Sequence, residues 1–146
     1  MSDTFRNLAR LSKQGKTYLD HRLVEYGINS GQYFYIILIC NNEGITQDKL
    51  SAFIQVHPSN ITRALGVLCK KKYIVKKDLE SDRRTCKLYP TEKAKDIYSK
   101  LLGFENEWVN IITNEFSNNE RELLDALLKK AEVTLTKYLK SEQKGM

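Results

Sequence analysis

Apolar residues recur at helical spacing in three long segments of the chain. Over residues 5–26 they recur, with one gap, between polar and basic side chains, which is typical of an imperfectly amphipathic helix, and Gly27 follows as a typical helix end. The apolar residues of this segment are Phe5, Leu8, Leu11, Leu19 and Leu23. A second segment begins after Thr91, which can cap a helix. A third follows Ser117, with Glu120 at the spacing of a capping box. The pattern therefore predicts one long helix at the start of the chain and two at its end.

Two shorter helices are predicted between these long ones. Thr46 can cap the first. The second begins at Pro58, with His57 or Ser59 near its cap, because proline fits a first helical position that needs no backbone N–H. Its apolar period is kept by Ile61, Leu65, Leu68 and Cys69. Two short helices joined by a tight turn form a helix-turn-helix.

The pattern changes to alternation after the lysine run 70–72. Residues 73–75 and 86–89 predict two short strands, and the polar stretch 78–84 predicts a hairpin loop between them. A helix-turn-helix followed directly by a β-hairpin is a winged helix, so we expect a wing at this position.

The segment 33–40 gives two conflicting signals. Its aromatic and β-branched residues favour a strand. Against that, Asn29 or Ser30 can cap a helix, and Gln32 lies three residues after Asn29, as a capping box requires. From these residues alone, a strand and a buried helix both stay open.

Composition fits one compact domain. The chain has 146 residues, of which 41% are hydrophobic and 29% charged, with only seven Gly and two Pro. This is enough apolar side chain for a core and too few breakers for a β-sandwich or a disordered tail. No apolar run approaches the roughly 18 residues of a transmembrane helix, and the polar start of the chain lacks the apolar core of a signal peptide. We therefore expect a cytoplasmic protein without a membrane partner.

Basic charge is concentrated in one part of the chain. Residues 57–100 hold 12 Lys and Arg against 5 Asp and Glu, a net charge of +7, whereas the remaining residues carry a net charge of −1. A surface that meets a polyanion is expected to look like this, because each neutralised phosphate releases a counterion. The alternative is a solvated lysine-rich face, and charge alone does not decide between them.

The terminal helices point to self-association. They carry more apolar surface than a central winged helix over 29–103 could cover, and a second copy is the simplest cover. We therefore predict that 1–28 and 104–146 form a dimerisation region of a C2 homodimer, with two recognition helices about 34 Å apart. The predicted fold class is mainly α with a small β-hairpin wing: a winged helix-turn-helix plus a helical dimerisation domain.

The residue inventory argues against catalysis. The three cysteines, Cys40, Cys69 and Cys86, are widely spaced and odd in number, which excludes a full disulfide framework and a CxxC zinc site. There are two histidines, no Gly-rich phosphate loop and no metal-ligand cluster. We predict no enzyme, no cofactor and no metal. The cysteines are typical of small buried apolar residues, and only Cys69, beside the lysine run, has neighbours that would lower a thiol pKa.

Five motifs, in this order of elements, form a recognisable pattern over roughly residues 8–139. They are Gly44-Ile-Thr-Gln47, Ser59-Asn-Ile-Thr-Arg63, Leu68 to Tyr73, Asp82-Arg-Arg84 and Tyr89-Pro-Thr-Glu-Lys93. This pattern resembles the MarR (multiple antibiotic resistance regulator) family of bacterial and archaeal winged-helix transcription factors. Asp82-Arg-Arg84, followed by a strand and Thr91-Glu-Lys93, is its most specific part.

The resemblance has implications for structure and function. It implies a buried helix over 33–40 and a homodimer that binds palindromic operators, usually as a repressor, often released by small aromatic ligands or by cysteine oxidation. Oxidant-sensing members carry their reactive cysteine in the first helix, where this chain has none. Pro90 and Ala94 depart from the usual leucine and glycine, and we expect both to affect packing more than DNA contact.

The first turn of the second short helix should enter the major groove of DNA. Asn60 suits adenine and Arg63 suits guanine, each through paired hydrogen bonds. Ser59 and Thr62 are more typical of a helix cap and a phosphate contact than of base recognition. The preceding helix should cross the DNA backbone and contact it through Gln47 and Lys49.

The wing should supply a second DNA contact. Arg84 at its tip can reach a minor groove, and Asp82 can pair with Arg83 or Arg84 and hold the loop. The flanking residues that would attract phosphates without sequence preference are Lys76, Lys77 and Lys87. The alternative is an ordinary polar hairpin.

A candidate effector site is less specific. Aromatic and polar residues that suit a phenolic ligand fall where the first two helices should meet the winged domain. They are Tyr18, His21, Tyr26, Gln32 and Tyr35. Aromatic residues at helical spacing are more often part of an ordinary core.

The sequence thus predicts a homodimeric, sequence-specific regulator of transcription that binds double-stranded DNA and responds to a small aromatic ligand as a repressor. The alternative is a winged-helix module that docks another protein without binding an operator. That alternative has to treat the +7 segment as incidental.

Overall fold

A computed structural model describes residues 2–54, 57–78 and 86–145. The helices and strands, in chain order, are α1 (Thr4–Leu23), a 3-10 turn (Val24–Tyr26), α2 (Tyr33–Asn41), β1 (Ile45–Thr46), α3 (Gln47–Ile54), α4 (Pro58–Lys70), β2 (Ile74–Lys77), β3 (Lys87–Pro90), α5 (Glu92–Ile112) and α6 (Asn118–Lys144). The predicted class, mainly α with a small wing, is confirmed. Among the described residues, none of the helices combines the length and the apolar character that a membrane span requires.

The chain divides into two compact units, Met1–Trp108 and Val109–Met146. The boundary falls inside α5, between the fourth and fifth residues from its C-terminal end. The predicted assignment of 29–103 to DNA binding, and of 1–28 and 104–146 to dimerisation, concerns function and stays a prediction.

The small sheet has the strand order β1-β3-β2 and is antiparallel throughout. Ile74 pairs with Pro90 and Ile45 pairs with Leu88. The two wing strands lie one residue later than predicted at their starts, and the sequence analysis missed β1 altogether. A two-residue strand leaves no alternation to detect, and the strand forms because Gly44, at φ 84°, turns the chain toward β3.

The conflict over 33–40 is resolved in favour of the helix α2, and the strand alternative is wrong. Tyr35, Ile36, Ile37 and Ile39 are all buried, so the core covers more than one face of this helix. The predicted cap was misplaced: Gln32 is the N-cap residue, and its Oε1 accepts from the Asn29 backbone N–H at 3.2 Å within the preceding turn.

The core of the first unit joins the helix-turn-helix to the sheet and to α5. Its members with no exposed surface include Leu50 of α3, Leu88 of β3 and Leu101 of α5. From α4, Ile61, Leu65 and Leu68 are fully covered, at the spacing the sequence predicts. Ala94 is also fully buried, as expected for a position that affects packing.

Thr91 caps α5 as predicted. Its Oγ1 accepts from the Ala94 backbone N–H at 3.3 Å and donates to the Lys72 carbonyl at 2.6 Å. Lys72 itself has a φ of 63°, and the bonds from Lys72 N to Cys69 O and from Tyr73 N to Leu68 O close α4 in a Schellman motif.

The second unit contains the end of α5 and the whole of α6. Both bonds of the predicted capping box are present: Ser117 Oγ accepts from Glu120 N at 3.2 Å, and Glu120 Oε2 accepts from Ser117 N at 2.8 Å. Arg121 donates to the Thr113 carbonyl at 3.0 Å and so holds the turn that precedes α6.

Candidate nucleic-acid interface

The first turn of α4 presents polar side chains to solvent. Proline at the next position restricts His57 to an extended conformation, φ −55° and ψ 132°, and its side chain caps the helix by accepting from Ser59 N at 3.2 Å. The predicted contact residues that follow are exposed: Ser59, Asn60, Thr62 and Arg63. Burial of the apolar face of α4 in the core therefore turns this polar face outward.

The helices α3 and α4 are joined by a contact that sequence analysis did not predict. Gln47 Nε2 donates to Thr62 Oγ1 at 3.1 Å, and Thr62 Oγ1 donates to the Pro58 carbonyl at 3.1 Å. Because both side chains already bond within the protein, they fix the two helices relative to each other. Lys49, two residues after Gln47 on α3, is exposed, and its side chain forms no hydrogen bond to a described side chain.

The base of the wing, which follows α4 in the chain, carries further cations. Lys76 and Lys77 are exposed on β2, and the Lys77 Nζ lies 4.8 Å from the centroid of the Tyr89 ring. Lys87 opens β3 and is half-buried. The predicted tip residues Asp82, Arg83 and Arg84 lie outside the described residues, so their contacts stay a prediction.

Five predicted cations of this region form no ion pair with a carboxylate that the structure describes. They are Lys49, Arg63, Lys76, Lys77 and Lys87. Ammonium and guanidinium groups that are not held in an ion pair can attract an external anion. The surface around the first turn of α4 and the wing base therefore fits a polyanionic partner.

A cleft of about 580 Å³ lies between α3, the start of α4 and the wing strands. Its lining residues are Gln47, Asp48, Ser51, Pro58, Thr62, Lys76, Asp78 and Cys86. Two carboxylates face one lysine here, so the cleft is not itself a basic groove. Sequence spacing could not reveal it, because it is built from three separate elements.

The five predicted effector residues have different environments. Tyr35 is buried in the core, where burial raises its pKa. Tyr26 packs against Phe104 with ring centroids 6.1 Å apart. Gln32 belongs to the turn before α2, His21 is exposed, and none of the five lines the cleft between α3, α4 and the wing. A shared ligand site for these residues stays a prediction.

Tyr18 belongs to a polar cluster that joins α1 to α5. Its hydroxyl accepts from Arg22 Nε at 3.3 Å, and Arg22 also pairs with Glu107. Burial and the hydrogen bond to Glu107 raise the pKa of Tyr18. Nearby, Gly15 is buried against Trp108, whose Cζ2 would lie 3.1 Å from an added Cβ. A side chain at position 15 would therefore need the Trp108 ring to shift by a few tenths of an ångström.

The expectation of a lowered thiol pKa at Cys69 is wrong. Burial raises the pKa of this thiol, and the opposing effect of Lys76 is smaller. Burial also raises the pKa of Cys40 and Cys86. The adjacent lysines of 70–72 did not predict the environment, because side chains at successive helical positions point in different directions.

Comparisons with known proteins identify the family. The MarR family model matches residues 28–86. The chain is 30% identical over 113 residues to the HTH-type transcriptional regulator BilQ of Clostridioides difficile, with 77% of this chain and 76% of BilQ covered. It is 27% identical over 145 residues to the uncharacterized HTH-type transcriptional regulator YybA of Bacillus subtilis, with 99% of this chain and 97% of YybA covered.

Solved structures show the same fold. A MarR family transcriptional regulator of Listeria monocytogenes, crystallised with a 26mer DNA, superposes with a TM-score of 0.84 at 25% identity, over 92% of this chain and 90% of that one. Sequence and structure agree on the same family. This chain therefore belongs to the MarR family of winged-helix transcriptional regulators.

Proposed function

We propose that the protein binds double-stranded DNA as a sequence-specific transcriptional regulator, with the first turn of α4 in the major groove. The observation that carries this proposal is the exposed polar turn, in which Asn60 and Arg63 point away from a fully apolar opposite face. The cations around it, which form no ion pair with a described carboxylate, supply phosphate attraction. The related Listeria protein, crystallised with DNA, supports the same use of the fold.

The proposed assembly is a homodimer that binds a palindromic operator. In the first unit, Phe5 at the start of α1 is 83% exposed, and Leu8 and Leu11 are exposed with it. In the second unit, α6 exposes a row of apolar residues: Leu123, Leu127, Leu128, Leu135, Tyr138 and Leu139. A second copy would cover such surfaces and hold two α4 helices about one DNA turn, roughly 34 Å, apart.

The proposed wing contact uses Arg84 in a minor groove, with Asp82 paired to Arg83 or Arg84 to hold the loop. The lysines at its base, Lys76, Lys77 and Lys87, would meet phosphates. As a regulator, the protein would act as a repressor that a small aromatic ligand releases. The ligand residues proposed from the sequence are Tyr18, His21, Tyr26, Gln32 and Tyr35.

The proposal is tested by selecting the fragments of genomic DNA that the purified protein retains, then titrating one retained fragment at several salt concentrations. Replacing Arg63 by Ala should weaken binding and lower the slope of log affinity against log salt by about one. Lys129→Ala on α6 removes the same charge outside the proposed interface and should change neither quantity. A wild-type protein that retains no fragment would instead favour the protein-docking alternative.

A further inference from the structure

We infer that His57 is a further DNA-contacting residue: its Nδ1 caps α4 while its Nε2–H donates to a DNA backbone phosphate. This inference rests on the proposed DNA binding and extends it to a residue outside the set predicted from the sequence. It follows from the hydrogen bonds at the start of α4.

The backbone donors of the first turn are already used inside the protein. Pro58 has no N–H. Ser59 N donates to His57 Nδ1 at 3.2 Å, and the N–H groups of Asn60 and Ile61 donate to the His57 carbonyl at 2.9 and 3.4 Å. Within the described first turn, residues 58–61, a phosphate therefore meets no free backbone N–H, which favours side-chain donors as its partners.

The same bonds indicate which nitrogen of the imidazole carries the proton. His57 Nδ1 accepts from Ser59 N and lies 2.7 Å from Ser59 Oγ, which can donate to it as well. A neutral imidazole whose Nδ1 is an acceptor carries its proton on Nε2. His57 Nε2 is therefore a donor, and it has no acceptor among the residues that the structure describes.

The ring is held in place for this role. Pro58 restricts the His57 backbone to its extended conformation, and the two contacts with Ser59 orient the ring. The side chain is exposed and immediately precedes the turn that carries Asn60 and Arg63. A donor with a fixed position loses little conformational freedom on binding, which favours its use against a phosphate.

Two variants separate the two nitrogens of the ring. In His57→Asn, the side-chain carbonyl takes the place of Nδ1, so the cap is kept, while the side chain is too short to replace Nε2. In His57→Gln, the terminal amide extends to the region of Nε2 and keeps a donor there, while the cap is lost. Stability is measured by thermal unfolding, and affinity by fluorescence anisotropy with a labelled mixed-sequence duplex.

The inference predicts opposite orders for the two measurements. Wild type and His57→Asn should both be more stable than His57→Gln. Wild type and His57→Gln should bind DNA more tightly than His57→Asn. The affinity of His57→Asn should be about tenfold lower, which is the usual effect of losing one hydrogen bond to a charged group. The salt slope should stay unchanged in His57→Asn, because a neutral donor releases no counterion.

Affinities that follow the order of stability, or that are equal in all three proteins, would overturn the inference and leave His57 as a cap alone. A wild-type protein that fails to bind any duplex gives a different result. That outcome rejects the proposed function itself.

Discussion

The helices α4 and α6 have similar apolar patterns but differ in how much of their apolar surface is buried. The 13 residues of α4 include three fully buried side chains, whereas α6, described along all of its 27 residues, buries none. Leu65 of α4 has no exposed surface, and Leu127 at the equivalent kind of position on α6 is 53% exposed. The apolar face of α4 is covered by its own chain, whereas the apolar face of α6 is exposed.

This difference shows what the spacing of apolar residues along a helix can and cannot predict. It specifies which face of a helix must leave water, because the hydrophobic effect depends on the apolar area removed from water. It does not specify which surface provides the cover. For α4 the cover is the sheet and neighbouring helices of the first unit, and for α6 we propose a second copy of the chain.

Charging the apolar face of α6 should have the largest effect. The double substitution Leu127→Lys and Leu135→Lys places two cations on this face, so the proposed dimer should dissociate, and operator affinity should fall by about 100-fold or more as the second half-site is lost. Mass in solution is measured by sedimentation and affinity by gel shift. Lys129→Glu, on the opposite face, is the control and should leave a dimer. A dimer that persists in the double variant would contradict the assignment of this face.

Truncating Leu65, one of two buried leucines of α4, should have the next largest effect, on the stability of the fold and not on the dimer. Leu65→Ala should lower the free energy of unfolding by about 3 kcal/mol, through lost burial and a cavity, and leave the dimer dissociation constant nearly unchanged. Leu127→Ala should weaken the dimer instead. Urea unfolding and sedimentation equilibrium measure the two quantities. If Leu127→Ala destabilised dilute, monomeric protein as much as Leu65→Ala does, α6 would be covered by its own chain.

Removing the cap of α6 should cost less. Ser117→Ala deletes the side chain that accepts from Glu120 N, and the free energy of unfolding should fall by about 1 kcal/mol. Ser117→Asp, which keeps an acceptor at the same position, is the control and should stay within a few tenths of wild type. Equal losses in the two variants would mean that the capping bond contributes little to the stability of α6.

Replacing Lys72, two positions after the last residue of α4, should have the smallest effect, a gain in stability. Lys72 has a φ of 63°, a conformation that glycine adopts without strain, so Lys72→Gly should raise the free energy of unfolding by roughly 0.5 kcal/mol. Lys70→Gly removes the same charge at the last residue of the helix and should lower the free energy of unfolding by roughly 0.5 kcal/mol. A loss in both variants would show that the lysine side chain at position 72 makes a contact that outweighs the strain.

Much of the fold could be predicted because its signals are local. The capping box at Ser117, the cap at Thr91 and proline at the first position of α4 each depend on residues within one helical turn, and all three are present. The strand β1 could not be predicted, since its two residues pair only because β3 lies beside them. The choice of helix for 33–40 likewise depended on burial, which outweighed the β propensity of its residues.

The candidate interface was predictable in part. The polar positions of the first turn of α4 followed from the apolar period, which leaves them on the opposite face. The contact between Gln47 and Thr62 was not predictable, because these residues lie on different helices and fifteen positions apart. The raised pKa of Cys69 was also missed, since the burial that raises it is set by residues distant in the chain.

By itself, the sequence determined which residues start and end the helices, which faces are apolar and where the cations are concentrated, because these properties depend on neighbouring positions and on side-chain chemistry. The tertiary structure decided which apolar faces are covered, which polar groups bond to one another and which remain free for a partner. Those outcomes depend on contacts between segments far apart in the chain, and such contacts exist only once the elements have packed.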